Sequence, residues 1–199
     1  MGGSSLVTGC VVSNNVIDVN WWGGGIHLNG GTIENSLVCG NGNSSSSVDF
    51  NGGGIAVYQR GTIRNCTVVG NSAGPNGTGG GIFWRDQAGA VLDTIVWGNT
   101  GTAGMADLGG TPPSQVTNVC SSVAVGVNTS KNRLVGDPLF QDAANGNYRL
   151  RVQSPCRNAA WGKPTTAVDL DGKRRVVGRH MDLGCYECDL PVGTMILVR

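Results

Sequence analysis

One phrase, Gly-Gly-Gly-Ile, opens at Gly23, Gly52 and Gly79, so that its starts lie 29 and 27 residues apart. Each occurrence leads into a second shared block: Gly31-Thr-Ile-Glu-Asn-Ser-Leu-Val-Cys-Gly-Asn41, Gly61-Thr-Ile-Arg-Asn-Cys-Thr-Val-Val-Gly-Asn71 and Gly89-Ala-Val-Leu-Asp-Thr-Ile-Val-Trp-Gly-Asn99. A fixed period of this length is the signature of a solenoid, in which each repeat buries its apolar face only by stacking on its neighbours. The repeats are too polar and too rich in glycine for helix pairs, and their apolar runs are short and alternating, which predicts strands. The chain is therefore expected to wind into a stacked β-coil.

In such a coil each strand pairs with its equivalent one turn away, at about 4.8 Å, and residues in register form columns. Alternation along a strand sends Ile26, Ile55 and Ile82 inward, followed by Leu28, Val57 and Trp84. Ile33, Ile63 and Val91 make a third inward column, and Leu37 or Val38 joins Val68 and Val96 in a fourth. Asn41, Asn71 and Asn99 fall at one corner, where stacked amides bond from turn to turn. Glu34 and Arg64 face outward on neighbouring coils at ion-pair spacing.

Glycine at 34 of 199 residues would suit a disordered chain, but the fixed period and a 39% hydrophobic content exclude disorder. Lys and Arg are scattered and net charge is +1, which leaves no basic stripe for a nucleic acid. No apolar run reaches the roughly 18 residues of a membrane span. The start, Met1-Gly-Gly-Ser-Ser-Leu6, lacks the basic and apolar regions of a signal peptide, and Leu6 to Asn15 aligns with Thr62 to Asn71, so the chain begins inside a repeat and is expected to be a fragment. An open first coil favours self-association through the N-terminal coil, as a dimer or a stack. The competing expectation is that Trp21 and Trp22 fold over the end and keep the chain monomeric.

Seven cysteines leave at least one unpaired within the chain. Cys10 and Cys66 share a column two coils apart, roughly 9.6 Å, beyond disulfide reach, and read as core residues. Cys120 and Cys156, outside the repeats, are the expected disulfide. Cys185-Tyr-Glu-Cys188 with His180 is a weak zinc pattern, and no metal or cofactor is expected. Asp169-Leu-Asp-Gly172 reads as an Asp-Gly turn, since the later oxygen ligands of a calcium loop do not follow.

After Asn99 the repeat grammar changes. Ile95-Val-Trp-Gly-Asn99, Asp137-Pro-Leu-Phe140, Asn147-Tyr-Arg-Leu150, Ser154-Pro-Cys156, Asp169-Leu-Asp-Gly172, Asp182-Leu-Gly184 and Tyr186-Glu187 follow one another in fixed order. In that order they resemble the C-terminal module of secreted bacterial β-helix proteins of the choice-of-anchor Q kind, whose coils are similar to polymorphic outer-membrane protein repeats. The resemblance implies an all-β, right-handed parallel β-helix, with coils in residues 1–100 and an irregular C-terminal cap in 101–199 packed on the last coil. It also implies secretion or a cell-surface location, with a variable anchoring tail after Glu187; here the tail is Cys188 to Arg199, without a long apolar run.

The outward columns hold His27, Ala56 and Phe83, then Asn29, Tyr58 and Arg85. With Gln59 and Asp86 these form the one patch in the repeats that mixes aromatic, cationic, imidazole and carboxylate groups, so His27, Asn29, Tyr58, Arg85 and Asp86 are the candidate residues for binding a polysaccharide or cell-surface glycan. A glycosidase needs two facing carboxylates roughly 5 to 10 Å apart, and no such pair is placed by the repeats, so no catalytic residue is assigned. The expectation is a non-catalytic extracellular module, structural or adhesive. The alternative is the C-terminal fragment of a β-helix polysaccharide lyase or glycoside hydrolase.

Overall fold

The computed structural model describes residues 5–18, 21–43, 51–74, 76–86, 88–102, 105–111, 113, 115–122 and 133–188; the tail from 189 onward, most of the connecting loop at 42–51 and the first four residues lie outside them. The first coil holds β1 (Leu6–Thr8), β2 (Val11–Ser13) and β3 (Val16–Ile17). The second holds β4 (Ile26–Leu28), β5 (Gly31–Glu34), β6 (Leu37–Cys39) and β7 (Gly42–Asn43). Then come β8 (Ile55–Val57), β9 (Gly61–Arg64) and β10 (Thr67–Val69), followed by β11 (Ile82–Trp84) and β12 (Gly89–Trp97). Beyond residue 100 the chain forms β13 (Leu108–Gly110), β14 (Gln115–Ser121), β15 (Arg133–Val135), β16 (Phe140–Asp142), a 3-10 turn at Ala143–Asn145 and β17 (Asn147–Leu150).

All strand pairs except β16 with β17 are parallel, and each joins equivalent positions of successive coils, which makes the molecule a parallel β-helix. Three faces stack: β1, β5, β9 and the first half of β12; β2, β6, β10 and its second half; and β4, β8, β11 and β13. Stacking runs past residue 100, because β13 pairs with β11 and β14 with β12. The corner between the first two faces is made by Asn35, Asn65 and Asp93, whose φ angles are 47, 49 and 51°; Asn and Asp tolerate this left-handed backbone better than other side chains.

The inward columns are Ile26–Ile55–Ile82–Leu108, Leu28–Val57–Trp84, Val7–Ile33–Ile63–Val91–Val116 and Val12–Val38–Val68–Val96. Val38, not Leu37, is thus the inward residue of its coil. Each fully buried Ile or Val of these columns contributes roughly 1.5–3 kcal/mol. Glu34 lies opposite Arg64, which donates Nε at 2.8 Å to Glu34 Oε2.

The asparagine corner is an ordered ladder. Asn41 donates its backbone N–H and Nδ2 to Asn71 Oδ1 (2.9 and 3.0 Å), and Asn71 donates the same pair to Asn99 Oδ1. The second hydrogen of each Nδ2 goes back to the preceding coil, to Val12, Val38 and Val68 carbonyls in turn. Every bond to a side-chain oxygen in this ladder points toward the next coil, so the last member is called on to accept. That member is Asp107: Oδ1 takes Asn99 N and Nδ2, and Oδ2 takes Ser122 N and Oγ. Glycine is required beside the ladder, since a Cβ on Gly54 would stand 2.9 Å from Asn71 Nδ2 and 2.7 Å from Gly81 O.

The C-terminal segment packs along the side of the coils, where the sequence reading put it on the last coil. Leu37, Val69, Ile95 and Cys120, which point outward from the second face, form a core with Phe140, Leu150, Cys156, Met181, Leu183 and Tyr186. Hydrogen bonds reach several coils: Asn35 Nδ2 to Val168 O, Cys185 N to Thr67 Oγ1 and Gly184 N to Asp93 O. Val11, one coil earlier in the same column as Leu37, is 58% exposed where Leu37 is 5%, so the cover ends between them. β1, β2 and β4 are edge strands at the N-terminal end of their sheets.

Two outcomes follow for stability. Asp107→Asn turns buried N–H groups toward the donors of Ser122 or Asn99 and is expected to cost on the order of 2 kcal/mol; an unchanged thermal midpoint would contradict the ladder's polarity. Within the cap, burial first and the Asp182 carboxylate second push the Glu187 carboxyl up to about 8 from its ordinary 4.5. The folded state then holds a proton that the unfolded chain has lost, so stability is expected to fall as pH rises from about 4.5 through 8. Thermal melts at pH 5 and pH 8.5 check the sign: Glu187→Gln should flatten the slope, and a midpoint that rises with pH would contradict it.

Candidate functional site

The outer side of the β4, β8 and β11 face carries the sequence-derived patch. Register sets His27, Ala56 and Phe83 in line, and the pairing continues past the strands, with Tyr58 N bonded to Leu28 O at 2.9 Å and Arg85 N to Val57 O at 3.0 Å. Tyr58 and Arg85 are thereby held on successive coils by backbone alone. Ala56 and Phe83 point outward as expected yet are buried: the Gly52 turn lies over Ala56, whose Cβ is 2.8 Å from where a Gly52 Cβ would stand, and another residue packs on Phe83.

That residue is Trp22. Gly23, with φ +81° and its missing Cβ 2.4 Å from Ile26 O, makes a turn no other residue fits without strain, and it folds Trp22 back across the face. The Trp22 ring lies 5.6 Å from Phe83 at 66° and 5.1 Å from Tyr58, in the tilted geometries that aromatic pairs favour. Its carbonyl is 3.3 Å from His27 Nδ1, and the His27 ring is 5.6 Å from Tyr58 and 6.4 Å from Trp21. The expectation that the two tryptophans close the end of the solenoid is thus replaced, for Trp22, by a position on its side. Trp21 remains 65% exposed.

Trp21, Trp22, His27, Asn29 and Tyr58 line a groove of about 360 Å³, within the range of small-molecule sites. Arg85 is not a lining residue but stacks on two of the lining rings, with the guanidinium carbon 4.2 Å from the Tyr58 ring centre and 5.6 Å from that of Trp22. Of the five sequence-derived candidates, His27, Asn29, Tyr58 and Arg85 come together. Asp86 is exposed and forms no ion pair or hydrogen bond with the cluster among the described residues. The tryptophans were missed as contact groups; an aromatic pair directly before a glycine of positive φ was the available signal.

The other motifs resolve into structural roles. Asp169 Oδ1 accepts the N–H groups of Asp171 and Lys173 and Oδ2 that of Glu187, so the Asp-Gly segment is a turn tied to the segment at Glu187. Asp182 accepts from Asn158 N and Cys188 N, and Arg175, 1% exposed, places Nη1 3.6 Å from Glu187 Oε1. Burial raises the Asp182 and Asp93 carboxyls. His180 stacks on exposed Trp161 at 4.2 Å, while Cys185 and Cys188 lie in the cap core. Among the described residues no three His, Cys, Asp or Glu side chains are placed to hold a metal.

The expected Cys120–Cys156 disulfide is absent from this structure, in which no two cysteines are bridged. Both thiols lie in the cap core, where hydrogen bonding with Cys120, then burial, raises the Cys156 thiol well above its ordinary range. The Cys120 thiol instead donates to Gly136 O at 3.3 Å.

No known family model, curated protein or solved structure matches this chain. Trp22→Ala is expected to expose Phe83 and to change the near-ultraviolet circular dichroism while the far-ultraviolet spectrum is kept; an unchanged near-ultraviolet spectrum would contradict the packing of Trp22 on this face.

Proposed function

We propose that the chain is a non-catalytic glycan-binding module, structural or adhesive, that works outside the cell through the outer face of β4, β8 and β11. One observation carries this reading: Trp21, Trp22, His27, Asn29 and Tyr58 line an open groove, and Arg85 is stacked on the Tyr58 ring beside it. Sugar rings present flat C–H faces that stack on aromatic rings and hydroxyls that bond to planar amide and guanidinium groups. The platform is fixed before any ligand arrives, because Trp22 and Tyr58 are braced by each other and by coil-to-coil backbone bonds. Little ordering is then charged against binding.

Hydrolysis in this groove would need two carboxylates, and its lining includes none among the described residues. A setting outside the cell accords with the resemblance of the C-terminal motifs and with the access that polymeric glycans require.

The test is a glycan array with the parent protein, followed by titration calorimetry on each hit. Tyr58→Ala should weaken binding by about tenfold or more, as for a central aromatic contact, and leave the thermal midpoint nearly unchanged. An array without hits, or full affinity in Tyr58→Ala, would contradict the reading.

A further inference from the structure

Resting on the glycan-binding reading above, we infer that the groove selects glycans carrying uronate carboxylates, with Arg85 as the residue that recognises the acid. Three other arginines of the structure are paired with carboxylates: Arg64 with Glu34, Arg149 with Asp171 and Arg175 with Glu187. Arg85 differs from them. It is exposed, and among the described residues its guanidinium makes no ion pair and no hydrogen bond. What holds it is the Tyr58 ring at 4.2 Å, with Trp22 at 5.6 Å.

A guanidinium stacked on a ring keeps its N–H edges free, and those edges form the fork that a carboxylate matches with two parallel bonds. Stacking also removes the entropy that a free arginine loses when it binds, since the plane is already oriented. Among the described residues the groove lining contains no carboxylate to compete for it, and Asp86, its neighbour in sequence, lies beyond ion-pair distance. A ring of aromatics alone would also suit a quaternary ammonium ligand. The fixed positive charge of Arg85 on that ring disfavours any cation, so the charge of the site selects an anion. The remaining groove groups, aromatic faces with the Asn29 amide, suit a sugar ring with its hydroxyls, and a uronate joins the two requirements in one residue.

The experiment compares tetragalacturonate with its fully methyl-esterified form by titration calorimetry on the full chain, at low and at physiological salt. The ester has the same ring and nearly the same shape without the charge. The acid is expected to bind about tenfold or more tightly than the ester and to weaken as salt is added, while the ester does not. Arg85→Met, which keeps an apolar contact with Tyr58, should bring the acid down to the affinity of the ester and leave the ester within about twofold. Equal affinities of acid and ester for the parent protein would overturn the uronate assignment and leave glycan binding standing. Failure of both tetramers while other glycans bind on the array would overturn it too. Failure of every glycan would overturn this inference together with the reading beneath it. If Arg85→Met does not fold, the acid-against-ester comparison in the parent protein decides alone.

Discussion

The amide ladder at the asparagine corner is the interaction on which the stack depends. Each coil contributes one asparagine whose backbone N–H and one Nδ2 hydrogen bond forward, whose other Nδ2 hydrogen bonds back and whose Oδ1 accepts from the coil before, so no buried polar side-chain atom of Asn41, Asn71 or Asn99 is left without a partner. A slip of one residue between coils would break this set and turn the inward isoleucines outward at the same time. The ladder and the apolar columns therefore enforce the same register. A directional ladder needs an end that accepts without donating, and a carboxylate is the side chain that does so.

A register held this firmly gives the outward side chains fixed neighbours, and the faces use them differently. On the second face, Leu37, Thr67 and Ile95 are covered by the irregular C-terminal segment. That segment lacks a strand ladder for most of its length, and its backbone N–H groups turn instead to the buried acceptors Ser154, Asp169 and Asp182. The sequence motifs that look like a signature are these acceptors with their turns. On the third face one tryptophan does the covering, and the groove stays open beside it.

Much of this was legible from periodicity. Ile26, Ile55 and Ile82, the Asn41 to Asn99 corner and the Glu34–Arg64 pair follow from a repeat of fixed length and the two-residue alternation of strands. The choice between Leu37 and Val38 was not, because both are apolar and both are buried, one under the cap and one inside the coil. Asp107 was hidden as well: it stands only eight residues after Asn99, outside the repeat, and is recruited by the fold. Of the site, His27 in β4 and Tyr58 and Arg85, each one residue past its strand but still paired coil to coil, could be read from alternation, whereas Trp22 arrives through a turn whose direction is set by the backbone angle at Gly23. Asp86 lies one residue further from β11, beyond the coil-to-coil bond that fixes Arg85.

The ladder is open to one direct measurement, hydrogen exchange followed residue by residue by nuclear magnetic resonance. The backbone amides and the Nδ2 hydrogens of Asn41, Asn71 and Asn99 should be among the slowest in the protein, exchanging only with global unfolding. Side-chain amide hydrogens at these positions that exchange as fast as that of exposed Asn29 would contradict the ladder and the register built on it.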